Sequence, residues 1–178
     1  MAKILVVVDM QNDFLTGTLA NESAVAIIPN IKREIESGYY DHIIFTRDTH
    51  KQDYLETQEG KRLPVAHCIE GTWGHEVCEE LTRPAIKSGN HTSSFINKLT
   101  FGYNDWEEYY FYGPEDEITI CGTCTDICVV SNALALKAAF PETTVRCIAD
   151  CCAPLFGSEE KQNSALSVME SCQIDVIR

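Results

Sequence analysis

A single-domain α/β fold, built on a six-stranded parallel sheet with helices on both faces, is what this sequence predicts. Three observations predict it. Strand signals recur six times along the 178 residues, the one at SSFINK the weakest, and helical patterns or long loops separate them. Such strand–helix alternation is the mark of a parallel sheet. Two of the runs, KILVVVD and EITICG, are apolar without a period of two, as expected of strands buried on both faces. The length suits one domain with one core, taken as residues 1–178.

In chain order, the first strand is expected over 3–9 and the second, DHIIFTRD, over 41–48. Between them, SAVAIIPNIKREIES (23–37) reads as helix, with a proline near its middle where the helix proper would start. Residues 50–72 have no period; a loop that long in a compact domain usually serves function. GHEVCEEL (74–81) is a helix candidate, SSFINK (93–98) the third strand and NDWEEYY (104–110) a further helix candidate. EITICG (117–122) is followed by the helical ICVVSNALALKAAF, then by TVRCIAD (144–150), the helical SEEKQNSALSVMES and a last strand, CQIDVI (172–177).

Bulk properties exclude several roles. The net charge is −13 and no basic cluster occurs, which argues against nucleic acid or an anionic membrane as partner. No apolar run approaches the roughly 20 residues that span a bilayer. MAKILVVVDMQ has no small-residue cleavage site before Asp9 and reads as a buried strand, so the cytoplasm is the expected compartment. Nine cysteines, several inside apolar runs (Cys121, Cys147, Cys172), are expected to be reduced and buried. Cys121 and Cys124 form a CxxC with no second CxxC to complete a zinc site, and Cys121 ends an apolar strand rather than opening a helix as a redox cysteine would.

Ligands of open parallel sheets bind beyond the carboxyl ends of the strands. On that rim the sequence places Asp9, the pair Asp48 and His50, Lys98, and TCTDIC (123–128). Thr125 and Asp126 are good N-cap types, so a helix should begin near 126 with Cys128 in its first turn. There the helix dipole and free N–H groups favour a thiolate and could hold an oxyanion. By position alone, Cys128 could equally pack helix against sheet. Lys98 would lower a nearby thiol pKa and Asp9 could carry protons; singly, each could also be an ordinary turn or surface residue. Asp48 and His50 are two apart and share a side in extended chain. His67 follows after the loop 51–66, and Glu59 or Glu56 within that loop could add a ligand. Two imidazoles and a carboxylate suit zinc, iron or manganese with positions left open. Phe14 and Trp73 lie beside the rim and could wall an aromatic substrate pocket or belong to the core.

VVVDMQNDF (6–14), TRDTH (46–50), LPVAHCIEGTWG (63–74), KLTFG (98–102) and CGTCTDICVVSNA (121–133) follow the order and spacing of the isochorismatase-like cysteine hydrolases. The resemblance covers nearly the whole chain. It implies a three-layer, Rossmann-like fold and an Asp–Lys–Cys triad, here Asp9, Lys98 and Cys128. Lys87 competes with Lys98, which is preferred because it ends a strand. A cis Thr123–Cys124 bond and oxyanion donors from the Cys124 and Cys128 backbones are also implied. The D-x-H pair with a later His resembles the nicotinamidase branch, which implies Asp48, His50 and His67 as metal ligands, with zinc as the metal. The implied reaction is hydrolysis of nicotinamide to nicotinate and ammonia through a thioester, in NAD salvage, by a homo-oligomer. The metal would bind the pyridine nitrogen or order a water. HTSSF (91–95) precedes Lys98 and departs from the D-S-Y-S-x-F pattern of many nicotinamidases. Rival readings are another small amide or carbamoyl substrate, an isochorismate-like enol ether, which Cys128 argues against, and a non-catalytic metal-binding or redox-sensing protein, which would not need Asp9 and Lys98.

Overall fold

The structure is a computed structural model that describes residues 1–87, 91–108 and 113–178. Six parallel strands form one sheet in the order β3-β2-β1-β4-β5-β6: β1 (Lys3–Val8), β2 (His42–Asp48), β3 (Thr92–Lys98), β4 (Glu117–Thr123), β5 (Thr144–Ala153) and β6 (Asp175–Ile177). The helices are α1 (Asn12–Leu15), α2 (Glu22–Ala26), α3 (Ile28–Glu36), α4 (Gln58–Arg62), α5 (Glu79–Lys87), α6 (Val130–Ala139) and α7 (Glu159–Ser171). From β1 the chain builds outward through β2 to β3, then returns to β4 and builds the other way. Crossovers in parallel sheets are right-handed, so the reversal puts α3 and α5 on one face and α6 and α7 on the other; each pair packs together.

The central strands have the most apolar sequences because both faces are covered. Leu5 to Val8 and Ile43 to Phe45 are fully buried. Residues Lys3 to Val8 pair with Glu117 to Gly122, and Ile4 to Val7 with His42 to Phe45. At the upper end of the β1–β4 pair stands Gly122, with φ +120°. A Cβ there would lie 2.2 Å from the Val8 carbonyl oxygen, so only glycine lets the two strands approach at this level.

Three expectations about helices are corrected. In the 23–37 segment a helix starts at the proline as expected, with Pro29 in the first turn of α3, but the residues before it form a separate helix, α2, capped by Asn21. No helix begins at 74: Trp73–His75 is a 3-10 turn and α5 starts at Glu79. The chain between them is held extended against β1's exit, with Val77 bridged to Gln11 and the Cys78 N–H donating to the Met10 carbonyl at 2.9 Å. The helix expected over 104–110 is, in its described part, the 3-10 turn Trp106–Glu108; Tyr109 and Tyr110 lie outside the described residues. The last strand is shorter than expected, because α7 runs to Ser171 and Gln173 turns at φ 65°. All nine cysteines are free thiols. Eight are buried, but Cys172 is exposed, since it caps the end of α7 instead of lying in the strand.

Candidate active site

The reversal of strand order between β1 and β4 opens a crevice at their carboxyl ends, the usual ligand position in such sheets. Asp9 follows β1 and is fully buried, with a left-handed φ of 49°. Its backbone N–H donates to Thr46 Oγ1 at 3.2 Å, and the Thr46 hydroxyl donates to Asp9 Oδ1 at 2.7 Å. Lys98, at the end of β3, reaches the other carboxylate oxygen at 2.6 Å and stands 3.6 Å from Asp48 Oδ1. Its Nζ also donates to the Thr100 carbonyl at 3.3 Å. Lys87 is exposed at the end of α5.

Cys128 is buried on the turn after β4. That turn is a π-helical turn, Thr125–Val129, which runs into α6 and in which the Val129 N–H donates to the Cys124 carbonyl at 3.0 Å. Neither Thr125 nor Asp126 caps it. The cap position is Cys124, and the Asp126 carboxylate instead accepts the Leu155 N–H at 2.8 Å. The Thr123–Cys124 peptide is cis. Cys124 is buried and its thiol pKa is pushed up to about 12 by burial; Cys121 lies in the core.

Burial and the Lys98 charge act on Cys128 in opposite directions. Burial pushes its pKa well above the ordinary thiol value, Lys98 pulls it down, and Asp9 and Asp48 push it further up. Asp9 is raised too, because burial outweighs the opposing charge of Lys98. Burial works to lower the Lys98 pKa, but the charges of Asp9 and Asp48 beside it hold it above its ordinary value. A buried thiol beside a carboxylate of raised pKa and a fixed ammonium is suited to proton transfer from sulfur to oxygen.

Beside this group, Asp48, His50, Glu59 and His67 present one ligand atom each, all within 4.8 Å of one another. His50 Nε2 lies 3.0 Å from Asp48 Oδ2 and 3.6 Å from Glu59 Oε1; His67 Nε2 lies 3.4 and 3.8 Å from the same two oxygens. His67 Nδ1 donates to the Val65 carbonyl at 2.8 Å, which leaves Nε2 as the inward-facing nitrogen, the usual outer hydrogen bond of a metal-binding histidine. Burial works to raise the Asp48 pKa, but hydrogen bonds from His50 and His67 and the charge of Lys98 hold it well below the usual carboxylate range. Two imidazoles and two carboxylates at this spacing fit a divalent cation such as zinc. The donors come from β2's exit, the long loop and α4. Gln11 joins them to β1: its Nε2 donates to the carbonyls of Asp48 and His75, and its Oε1 accepts the Asp48 N–H at 2.7 Å.

The chain matches the isochorismatase domain over residues 3–178. It belongs to the isochorismatase family. Among curated relatives of this isochorismatase-family chain is the nicotinamidase of Saccharomyces cerevisiae, 24% identical, with 98% of this chain and 99% of that protein covered. Among solved structures, the nicotinamidase/pyrazinamidase of Bacillus subtilis superposes with a TM-score of 0.82 at 24% identity, over 100% of both chains. The pyrazinamidase of Pyrococcus horikoshii in complex with zinc gives 0.76 at 25% identity, over 100% of this chain and 99% of that one.

A cleft of about 610 Å³ leads from His50 and Glu59 to the surface of this isochorismatase-family domain. Leu63, Leu99, Phe101, Ile127 and Leu155 form its apolar lining. Phe14 and Trp73 are not part of it. Phe14 is buried with Leu19 and Cys68, its ring 5.6 Å from that of His67, whereas Trp73 is 59% exposed on its 3-10 turn. Thr46, Gln11 and Phe101 have site roles that no single residue announced, although each lies in a motif quoted above. Tyr54, whose ring meets both imidazoles at 4.6 and 4.9 Å, and Leu155 carried no signal at all.

Proposed function

We propose that this chain is a metal-containing cysteine amidohydrolase that converts nicotinamide to nicotinate and ammonia. The observation that carries the reading is the buried Lys98 ammonium, bridging the Asp9 carboxylate and a carboxylate of the metal set. The nicotinamidase of Saccharomyces cerevisiae, matched over 99% of its length, supports the substrate.

In this reading Asp9 takes the Cys128 proton as sulfur attacks the carboxamide carbon, and Lys98 holds the charge left on the carboxylate. The oxyanion meets the backbone N–H groups of Cys124 and Cys128. Asp9 returns its proton to the departing nitrogen, ammonia leaves, and an acyl thioester remains. Asp9 then accepts a proton from water as that water attacks the thioester carbon; the C–S bond breaks, Asp9 returns the proton to sulfur, and the acid leaves as nicotinate after losing its own proton to solvent. Asp48, His50, Glu59 and His67 would hold the divalent ion, zinc by donor type, with iron or manganese as the alternatives. When bound, that ion supplies a Lewis-acid site for a ring nitrogen or a water. NAD salvage and a homo-oligomer belong to the same proposal and rest on the family resemblance.

The test is ammonia release from nicotinamide, pyrazinamide and aliphatic amides by the purified chain and its Cys128→Ala variant, with bound metal quantified. Cys128-dependent turnover of nicotinamide is expected. Turnover of aliphatic amides alone would overturn the substrate, and turnover surviving in Cys128→Ala would overturn the mechanism. A second reading, a larger apolar amide, is favoured by one observation: the cleft is in the size range of drug-sized ligands and its rim residue Leu99 is 74% exposed.

A further inference from the structure

The second aspartate of DMQNDF has no part in the chemistry above, yet it is buried and fully engaged. Asp13 lies on α1, and its carboxylate faces the long loop. Oδ2 accepts the Cys68 N–H at 2.7 Å, and Oδ1 accepts the Thr18 N–H at 3.1 Å. Cys68 directly follows His67 and is one of the few non-glycine residues with left-handed backbone, φ 47°. Its carbonyl accepts the His50 N–H at 3.0 Å, and the His50 carbonyl accepts the Glu70 N–H at 2.8 Å. One residue is thus gripped on both sides: its N–H by Asp13 and its C=O by His50.

The packing around Asp13 leaves it no other place. A Cβ on Gly74 would lie 2.1 Å from Asp13 Oδ2, and one on Gly17 would lie 2.3 Å from Oδ1. The glycine that closes GTWG therefore serves to admit this carboxylate. The neighbouring Phe14 ring packs on the His67 imidazole.

We propose that Asp13 is the positioning residue that sets His67 against His50, through the Cys68 peptide, without touching the metal. It rests on the reading that Asp48, His50, Glu59 and His67 hold a divalent ion. Outer hydrogen-bond partners of metal ligands typically govern affinity by about 10–100-fold. A carboxylate that only closed its own loop, through Thr18, would leave affinity alone.

The test titrates zinc against a chromophoric chelator in the full-length chain, in Asp13→Asn and in the ligand variant Asp48→Asn. Asparagine has one acceptor oxygen and cannot serve both N–H groups. The expected result is zinc binding weakened about 10–100-fold in folded Asp13→Asn, and more severely in Asp48→Asn. Zinc affinity in Asp13→Asn within threefold of the unaltered chain would overturn the role. Equal affinity in the unaltered chain and Asp48→Asn would overturn the metal set itself, and this role with it. Should Asp13→Asn not fold, hydrogen exchange on the unaltered chain decides. Zinc should slow exchange of the Cys68 amide more than that of the Cys78 amide, which bonds outside the set. Equal effects on both would overturn the proposal.

Discussion

Asp9 and Asp48 invite comparison. They follow or end neighbouring parallel strands, both are buried, and both lie against the Lys98 ammonium, at 2.6 and 3.6 Å. Their pKa values nevertheless move in opposite directions. Asp9 has Lys98 and the Thr46 hydroxyl, and burial wins, so its pKa rises. Asp48 has two imidazoles as well, and burial loses. Lys98 is shared, so the difference comes from the other neighbours: the Asp48 charge pushes Asp9 up, whereas the two imidazoles pull Asp48 down. Environments that push two like groups apart separate their tasks: Asp9 can exchange a proton, while Asp48 stays ionised and suits a cation.

The harshest way to break the comparison is to remove the shared cation. Lys98→Met should lower kcat by about 10³-fold or more, as expected where groups act as a unit. It should also cost about 3–5 kcal/mol in denaturant unfolding, because it strands a buried carboxylate. Next come the single carboxylates, which should separate cleanly. Asp9→Asn should lower kcat by about 10²–10⁴-fold, the usual worth of a general acid–base, with zinc affinity unchanged. Asp48→Asn should instead lose zinc first. Equal effects of the two variants on both readouts would erase the distinction.

Changing pH sharpens it without mutation. Asp9 must be ionised to accept the thiol proton, so the acidic limb of kcat/KM should lie above its ordinary value of 3.8. Stability in the metal-free chain should show both signs. Asp48, depressed in the fold, adds stability above its unfolded value of 3.8, and that stability is lost as pH falls below it towards the folded value. Asp9, raised in the fold, adds stability that is full below 3.8 and fades as pH rises through its folded value. Urea unfolding of the unaltered chain and of Asp48→Asn across pH 3 to 7 checks this: acid sensitivity below about pH 4 should weaken in the variant.

The smallest expected effect is at Thr46. Thr46→Val removes the hydrogen bond that lowers the Asp9 pKa, so the acidic limb should move to higher pH. The loss of stability should be about 1 kcal/mol, typical of one hydrogen bond. A limb that does not move would mean Asp9 is not the group it reports.

Much of this was legible because it is local. Strands β1, β2, β4 and β5 stand in apolar runs, since strands covered on both faces must be apolar, whereas β3 and β6, at the sheet edges and largely uncovered, signal themselves weakly. Asp9, Asp48 and Lys98 stood out because charged residues that end apolar runs must lie at a rim or be paired. The expected helix at 74 failed for the opposite reason. Its periodicity is helical, but residues 10–12, far away in the chain, hold it extended. Trp73 illustrates the same limit: an aromatic near a motif says nothing about which way it faces, and this one faces solvent.

The sequence by itself determined the strand–helix alternation, the rim on which its reactive residues collect, and the donor types of a cation site. These follow from burial and from periods of two and 3.6 residues. Only the tertiary structure decided the upward shift of the Cys128 pKa, the opposite shifts of Asp9 and Asp48, the engagement of Asp13 with Cys68, and the residues that line the cleft. Each depends on which side chains from separate strands and loops share one desolvated space. In that space a neighbour a few ångströms away, not a neighbour in the chain, sets the balance between the cost of burial and the gain from a partner.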